Sequence, residues 1–378
     1  MSVDTVQLVK QDLAARGDQA SAVAIAASLQ RNGLIVSDAA IAGLVQAISQ
    51  DAQGMGPLEP LMAVPGLTDI LVNGADQVVI DSGQGLIDTG IHFADDDAVR
   101  QLASRLAASV GRRLDDGSPF VDARLANGVR FHAVLAGIAT PGTCLSLRIP
   151  ARRTISFEQW EGSGGIDAFA GRVLRRVIEK KVAFLITGGT GSGKTTLLGA
   201  MLGLVPEAER LVIVEDSREL QPDHPHVVSL ESRPANAEGV GMVSMADLVR
   251  QGLRMRPDRL VVGEVRGIEL RDLLQALNTG HEGGCGTIHA NSTVDLPARL
   301  EALGALAGLG RAAMAAQTLA AIKLVIHVTR QDGSRQVSQL ALIEPDGQGG
   351  MGTQLAWRRD GSETIKGEAL ASLMDLLA

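Results

Sequence analysis

Gly188, Gly193, Lys194 and Thr195 stand at the spacing G-x-x-x-x-G-K-[ST] within AFLITGGTGSGKTTLLGAML, residues 183–202. Glycines at this density let the backbone bend until successive N–H groups face one cavity, which suits the β-phosphate of a nucleotide. A helix that follows adds its positive N-terminal end. Lys194 then reaches the β- and γ-phosphates, and the Thr195 hydroxyl ligates Mg²⁺. The chemistry needs a strand before the turn and a helix after it. The apolar run 182–188 and the periodic run from 194 supply both.

Three downstream segments carry the remaining reactive side chains. LVIVEDSREL (211–220) ends an apolar strand with Glu215 and Asp216, and Glu219 follows closely. Beside the phosphate-loop strand, these carboxylates would stand near the Mg²⁺ and its waters, Glu215 acting through a water; the plainer reading is an acidic loop or cap. LRMRPDRLVVGEVRG (253–267) has the form of a Walker B strand, with Gly263 where a metal-linked Asp is usual. Glu264 comes next and can polarise an attacking water. Asp258 precedes the strand, at its wrong end. NTGHEGGCGTIHANS (278–292) brings two histidines, His281 and His289, among glycines. Their four-residue spacing with Cys285 is compatible with zinc, but so many glycines oppose a rigid metal site. A γ-phosphate sensor at a subunit interface fits the position one helix beyond the Walker B strand. His224, His226 and His327 flank or sit in strands and read as structural; His92 and His132 carry no signal.

These residues need a scaffold, and 378 residues allow two or three domains with ordinary cores. Residues 1–50 read as alanine-rich helices. GMGPLEPLMAVPG (54–66) breaks the periodicity and marks a boundary. Short β-like runs around a helix at 95–111 indicate a small α+β domain over 51–150, and 151–166 reads as a linker. From 167 onward helices alternate with continuous apolar strands at 182–188, 209–216, 258–265 and 321–330. That pattern means an α/β sheet covered on both faces. The end of the chain suggests a hairpin and an amphipathic helix, EALASLMDLLA.

A net charge of −8, with 2% aromatics and no tyrosine, argues against a general nucleic-acid binder, and no stable nucleic-acid binding is expected. Two cysteines are too few for a disulfide framework and indicate a reducing compartment. The opening residues lack an uninterrupted apolar signal region. The expectation is a cytoplasmic protein that meets the inner face of the membrane through partners.

The order GGTGSGKTT, VEDSREL, RMRPDRLVVGEVRG, TGHEGGCGTIHANS resembles the Walker A, Asp box, Walker B and His box of the type II and type IV secretion ATPases. GMGPLEPL, DILVNG and GRRLDDGSPFVDARLANGVR are similar to the CpaF-like (TadA) branch that powers tight-adherence, or Flp, pili. The likeness covers roughly residues 50–345. It implies a homohexameric ring, with an N-terminal domain stacked on a RecA-like P-loop motor domain and ATP at their junction. By motif matching, Gly188, Gly189, Thr190, Gly191, Ser192, Gly193, Lys194, Thr195 and Thr196 would hold the phosphates and Mg²⁺. Glu215, Asp216 and Glu219 would be the Asp-box acids, Glu264 the catalytic glutamate, and His281 and His289 the His-box pair. Arg124, Arg130 and Arg148 fall where the family places arginines that neutralise the γ-phosphate, a role suited to a guanidinium across a closing interface. NGVR and LRIP stand here for the family's DGSR and IRK, and no paired CxxC motifs occur.

The resemblance implies a hexameric ATPase motor for pilus assembly or secretion, docked on an inner-membrane platform protein. A conjugative or DNA-translocating motor is the alternative; the basic run GRVLRRVIEKK (171–181) is the one local charge run that would favour it, though it reads first as a solvated or subunit-interface face. A nucleotide-binding scaffold is a third reading, and it would need Lys194 without Glu264.

Overall fold

The computed structural model describes residues 54–150 and 155–378, apart from 84, 236–238, 332 and 362. Before residue 54 it describes Leu8, Val9, Asp12, residues 22–34, Ser37 and Ile41. Of the helices expected in 1–50, α1 (Ala22–Arg31) is described; Leu8, Val9, Asp12 and Ile41 are also helical, and the remaining residues of those helices lie outside the described residues. The chain divides into two compact units, residues 1–151 and 152–378.

The first unit is built on a six-stranded antiparallel sheet: β1 (Asp69–Asn73), β2 (Val78–Asp81), β3 (Leu86–Asp88), β4 (Phe120–Arg124), β5 (Arg130–Val134) and β6 (Cys144–Arg148), in the order β3-β2-β1-β6-β5-β4. Helix α2 (Asp96–Ser109) starts where the Asp95 carboxylate accepts from the Ala98 N–H, satisfying one orphan donor of the first turn. Its Val99, Leu102, Ala103 and Leu106 join Ile70, Val72, Leu145 and Leu147 in one core. The Pro/Gly segment includes a 3₁₀ turn over Gly56–Ala63 that inserts Leu58 and Leu61 into this core.

The second unit carries α3 (Phe157–Gly162), α4 (Ala168–Glu179), β7 (Phe184–Thr187), α5 (Lys194–Leu202), β8 (Leu211–Glu215) and β9 (Val227–Glu231). There follow α6 (Met245–Gly252), β10 (Arg259–Val262), α7 (Glu269–Leu277), β11 (Cys285–Ile288), α8 (Leu296–Leu306), α9 (Arg311–Ala321) and β12 (Leu324–Gln331). The chain ends with β13 (Ser334–Pro345), β14 (Met351–Asp360), β15 (Glu363–Lys366) and α10 (Leu370–Leu377). The strands form one sheet in the order β15-β14-β13-β12-β7-β11-β10-β8-β9. From β12 to β9 all neighbours are parallel, and β13 to β15 extend the sheet as antiparallel hairpins. Alternate residues of each central strand serve opposite faces. Phe184 and Ile186 pack with α4, α5 and α10, whereas Leu185 packs with α6, α7, α8 and α9. Burial on both faces is what the continuous apolar runs require.

One sequence expectation is corrected here. Residues 155–166 are not a free linker: Ser156 and Gln159 form a reciprocal cap on α3, and Phe157 and Trp160 are buried in the second unit's core. The basic run 171–181 is partly occupied within its own unit. Arg175 pairs with Glu161 at 2.8 Å and lies over the Phe157 ring, and Arg176 donates to the Leu377 carbonyl, holding α10.

Candidate active site

The parallel strands point the same way, so whatever follows their C-terminal ends gathers on one rim of the sheet. Gly188 follows β7, Asp216 follows β8, Glu264 comes two residues after β10, and His289 follows β11. The phosphate loop bends as its glycines require. Gly191 and Gly193 have φ of 71° and 102°, in the region that favours glycine. At Gly188 a Cβ would meet the Val328 carbonyl at 2.3 Å and Ser192 Oγ at 2.6 Å. Lys194, the first residue of α5, is buried and donates from Nζ to the carbonyls of Gly188 (3.0 Å) and Gly189 (2.8 Å). Its pKa lies below that of an ordinary lysine because of burial, against the pull of Glu264.

From Lys194 a polar chain crosses the rim. Its Nζ stands 3.5 Å from His289 Nδ1, and His289 Nε2 stands 2.9 Å from Glu264 Oε1. The other Glu264 oxygen accepts from Arg266 at 2.5 Å. Burial pushes the Glu264 carboxyl up, but Arg266, His289 and Lys194 outweigh it and hold the group below its usual range. Burial and Lys194 push His289 down despite Glu264. A neutral imidazole donating from Nε2 to Glu264 and accepting at Nδ1 satisfies this geometry. The backbone of the Glu264 turn is fixed by β11: the Val265 N–H donates to the Thr287 carbonyl, and Thr287 Oγ1 donates to the Gly263 carbonyl at 2.6 Å.

Glu215 is placed differently from expectation. Its strand β8 is not beside β7, because β11 and β10 lie between them. The carboxylate instead turns to the end of β10, where a Cβ on Gly263 would come within 2.5 Å of Glu215 Cγ. Oε1 accepts from the N–H groups of Glu219 and Leu220, while Oε2 is buried without a hydrogen-bond partner. Burial raises its pKa to about 7. Asp216 accepts from Ser232 Oγ at 3.0 Å and lies 4.0 Å from Arg266. Glu219 belongs to the charge environment of Lys194 and Arg266.

The raised Glu215 pKa has a sign. The folded protein holds this proton more tightly than the unfolded chain, so its stabilisation is complete below about pH 4.5 and is lost as pH rises through about 7. The difference is about 3 kcal/mol. Glu215→Gln is therefore expected to match wild type near pH 4.5 and to exceed it above pH 7. Urea midpoints at both pH values, without nucleotide and with EDTA, check this; equal midpoints at pH 8 would refute it.

The two histidines are not a pair within one chain. β11 runs between them, about 13 Å of strand at ~3.3 Å per residue, so only His289 reaches the phosphate-loop rim. His281 sits at the far end, with Nδ1 3.2 Å from the Ala276 carbonyl at the close of α7. Cys285 lies inside the hydrophobic core, with its thiol pushed up to about 12 by burial. Asp258 accepts from the Arg210 N–H at that same far end, as its place before the strand required.

Arg124, Arg130 and Arg148 form one row across the exposed face of the first unit's sheet. Arg124 is opposite Arg130, Arg130 is opposite Arg148, and Arg148 is opposite Asp69, to which it donates at 3.2 Å. Sequence reasoning did not single out Arg266, although its place two residues after Glu264 was the available signal. Nor did it give His327 more than a structural role. That imidazole is buried, with Nδ1 2.8 Å from Thr187 Oγ1, directly before the phosphate loop, and a hydrogen bond to the Asn291 backbone.

The residues fit a nucleotide and its metal. Ser192 Oγ is a buried hydroxyl without a partner inside the loop, and the buried Glu215 Oε2 on the same rim suits a water on Mg²⁺. Strand order, glycine loop and rim carboxylates together define a RecA-like P-loop domain, here joined to an α+β unit. Residues 51–363 match the family described as Type II/IV secretion system protein, and the chain belongs to that family. A putative conjugal transfer protein of Mycobacterium tuberculosis is 47% identical over 347 residues, covering 90% of this chain and 98% of that protein. The conjugal transfer protein TrbB of Rhizobium radiobacter is 32% identical over 283 residues, covering 74% and 84%. The ATPase DotB of Legionella pneumophila shares the fold at a TM-score of 0.55 and 18% identity, covering 79% of this chain and 80% of its own. The pilus retraction motor PilT does so at 0.53 and 21%, covering 73% and 78%. Among the described residues, no helix is long and apolar enough to cross a membrane.

Proposed function

We propose that this protein is an ATPase that works as a homohexameric ring and drives a type II/IV secretion machine from the inner face of the membrane. The observation that carries the reading is the chain Lys194–His289–Glu264–Arg266 on the rim that also bears the phosphate loop. A scaffold that only bound nucleotide would need Lys194 alone. Here the loop and Lys194 hold the β- and γ-phosphates, Thr195 and Glu215 serve Mg²⁺, and that metal spreads the charge of the phosphates when bound. Glu264 takes the proton of the attacking water. His289 steers one Glu264 oxygen and senses Lys194, so a change at the γ-phosphate reaches the base. Arg266 keeps Glu264 ionised. The arginine row of the N-terminal unit would neutralise the γ-phosphate as the ring closes, turning binding energy into rigid-body motion.

Within that class, GMGPLEPL and DILVNG favour tight-adherence pilus assembly on an inner-membrane platform protein. A second reading, conjugative transfer, is favoured by the name of the mycobacterial relative. The negative net charge and the internal engagement of Arg175 and Arg176 weigh against direct DNA handling. Phosphate release followed against protein concentration, with mass from light scattering, tests the motor. Activity should rise with a six-fold species. Activity that tracks monomer, or none even with lipid and platform partner present, would defeat the proposal. A salt-sensitive rise of the rate on adding DNA would move it to the conjugative reading.

A further inference from the structure

We propose that Arg335, with Arg330 opposite it, is a second phosphate-recognition element, carried on the β12–β13 hairpin and directed at the part of the nucleotide that ADP and ATP share. The inference rests on the nucleotide-binding reading of the loop. β12 is the parallel neighbour of β7 on the side away from β11, and it runs past the end of β7, so the hairpin overhangs the turn that begins at Gly188. Arg330 and Arg335 are cross-strand partners at its tip. The Arg335 stem lies on the loop itself: a Cβ on Gly193 would meet its Cδ at 2.8 Å and the Trp160 ring at 3.4 Å. Like charges opposite one another destabilise an antiparallel pair. Among the described residues, no carboxylate pairs with either guanidinium; Arg335 is exposed overall, but the desolvation of its stem against the loop, followed by Arg330, pushes it below the ordinary arginine value. An arginine stays charged all the same. A bound phosphate offers this pair what the protein does not, an anion that both forks can grip.

Position selects which phosphate. Lys194 looks toward Glu264, Arg266 and Glu219, the carboxylate side of the rim. Arg335 is not part of that environment and packs on the opposite strand neighbour. It therefore serves the α-phosphate side and not the bond that is cut.

Titration calorimetry of the full chain with ADP and with a non-hydrolysable ATP analogue tests the assignment, using Arg335→Met, Arg335→Lys and wild type. Methionine keeps an apolar stem against Gly193 and Trp160 and removes the charge. The expected result is a ~tenfold loss for both nucleotides by the same factor, most of it recovered in Arg335→Lys, with kcat at saturating ATP within about twofold of wild type. Ligand-free melting temperature, read alongside, should not move. If it falls, Arg335→Lys decides: near-normal affinity with restored charge supports recognition, and affinity as poor as in Arg335→Met overturns it. Wild-type affinity in Arg335→Met overturns the proposal, and so does a loss confined to the ATP analogue. Wild type that binds no ADP removes the nucleotide reading beneath it, an outcome distinct from the others.

Discussion

Glu264→Gln is expected to slow steady-state phosphate release by ~10²–10³-fold, the range for removing a positioned general base, while ADP affinity stays within about twofold. The amide has the size of the carboxylate and can still accept from His289 Nε2 through its oxygen. It cannot take a proton from water. It also turns an NH₂ toward Arg266, where the carboxylate accepted at 2.5 Å, so Arg266 loses its main anchor. Arg266 holds Glu264 at a pKa below the usual carboxylate value, which makes it a weak base while paired. A second measurement separates the two parts. Removing Arg266 should raise the acid limb of the pH–rate profile, because the largest opposing influence on Glu264 is burial. Phosphate release by Glu264→Gln at the wild-type rate would sink the assignment of the base.

The loop and its flanks were legible because their chemistry is local. Glycine spacing, a buried strand before and a helix after are all written in consecutive residues, and the loop takes the conformation they imply. The covered sheet was legible as well, since strands such as Phe184–Thr187 are apolar at every position. Strand order was not. Nothing in LVIVED says that two strands will stand between it and β7, because order is decided by which helices cover which face. β11 was hidden for a different reason. CGTI is short and lies between glycines, so it reads as loop, yet it separates His281 from His289 by its whole length. The three arginines of the first unit could be named but not aligned, since their row depends on the register of three strand pairs. Arg335 was missed because an arginine near the tip of a hairpin has no local signature. Only the parallel pairing of β12 with β7 brings it to Gly193.

Gly263 looked like a departure, a glycine where an Asp was expected, and packing explains it. The Glu215 carboxylate from the neighbouring strand fills the space a side chain at 263 would need: a Cβ there would stand 2.5 Å from Glu215 Cγ and 3.0 Å from Oε1. Glu215 cannot readily withdraw, because the Glu219 and Leu220 N–H groups hold it and it is almost wholly buried. Gly263→Asp is therefore expected to harm the protein, although it restores the familiar motif. Overpacking at a close-packed site costs about 1–3 kcal/mol, and a second buried carboxylate beside the first adds repulsion that forces one of them to stay protonated. The melting temperature should fall by roughly 5–10 °C, and phosphate release by ~10²-fold or more as the Glu264 turn is displaced. The double variant Glu215→Ala with Gly263→Asp decides the cause. It empties the space, leaves one carboxylate between the ends of β8 and β10, and should recover most of the lost stability. A Gly263→Asp protein that melts with wild type would show that the two positions do not compete. A double variant no more stable than the single one would show that the backbone of the Glu264 turn, held by Thr287 and Val265, tolerates no Cβ at all.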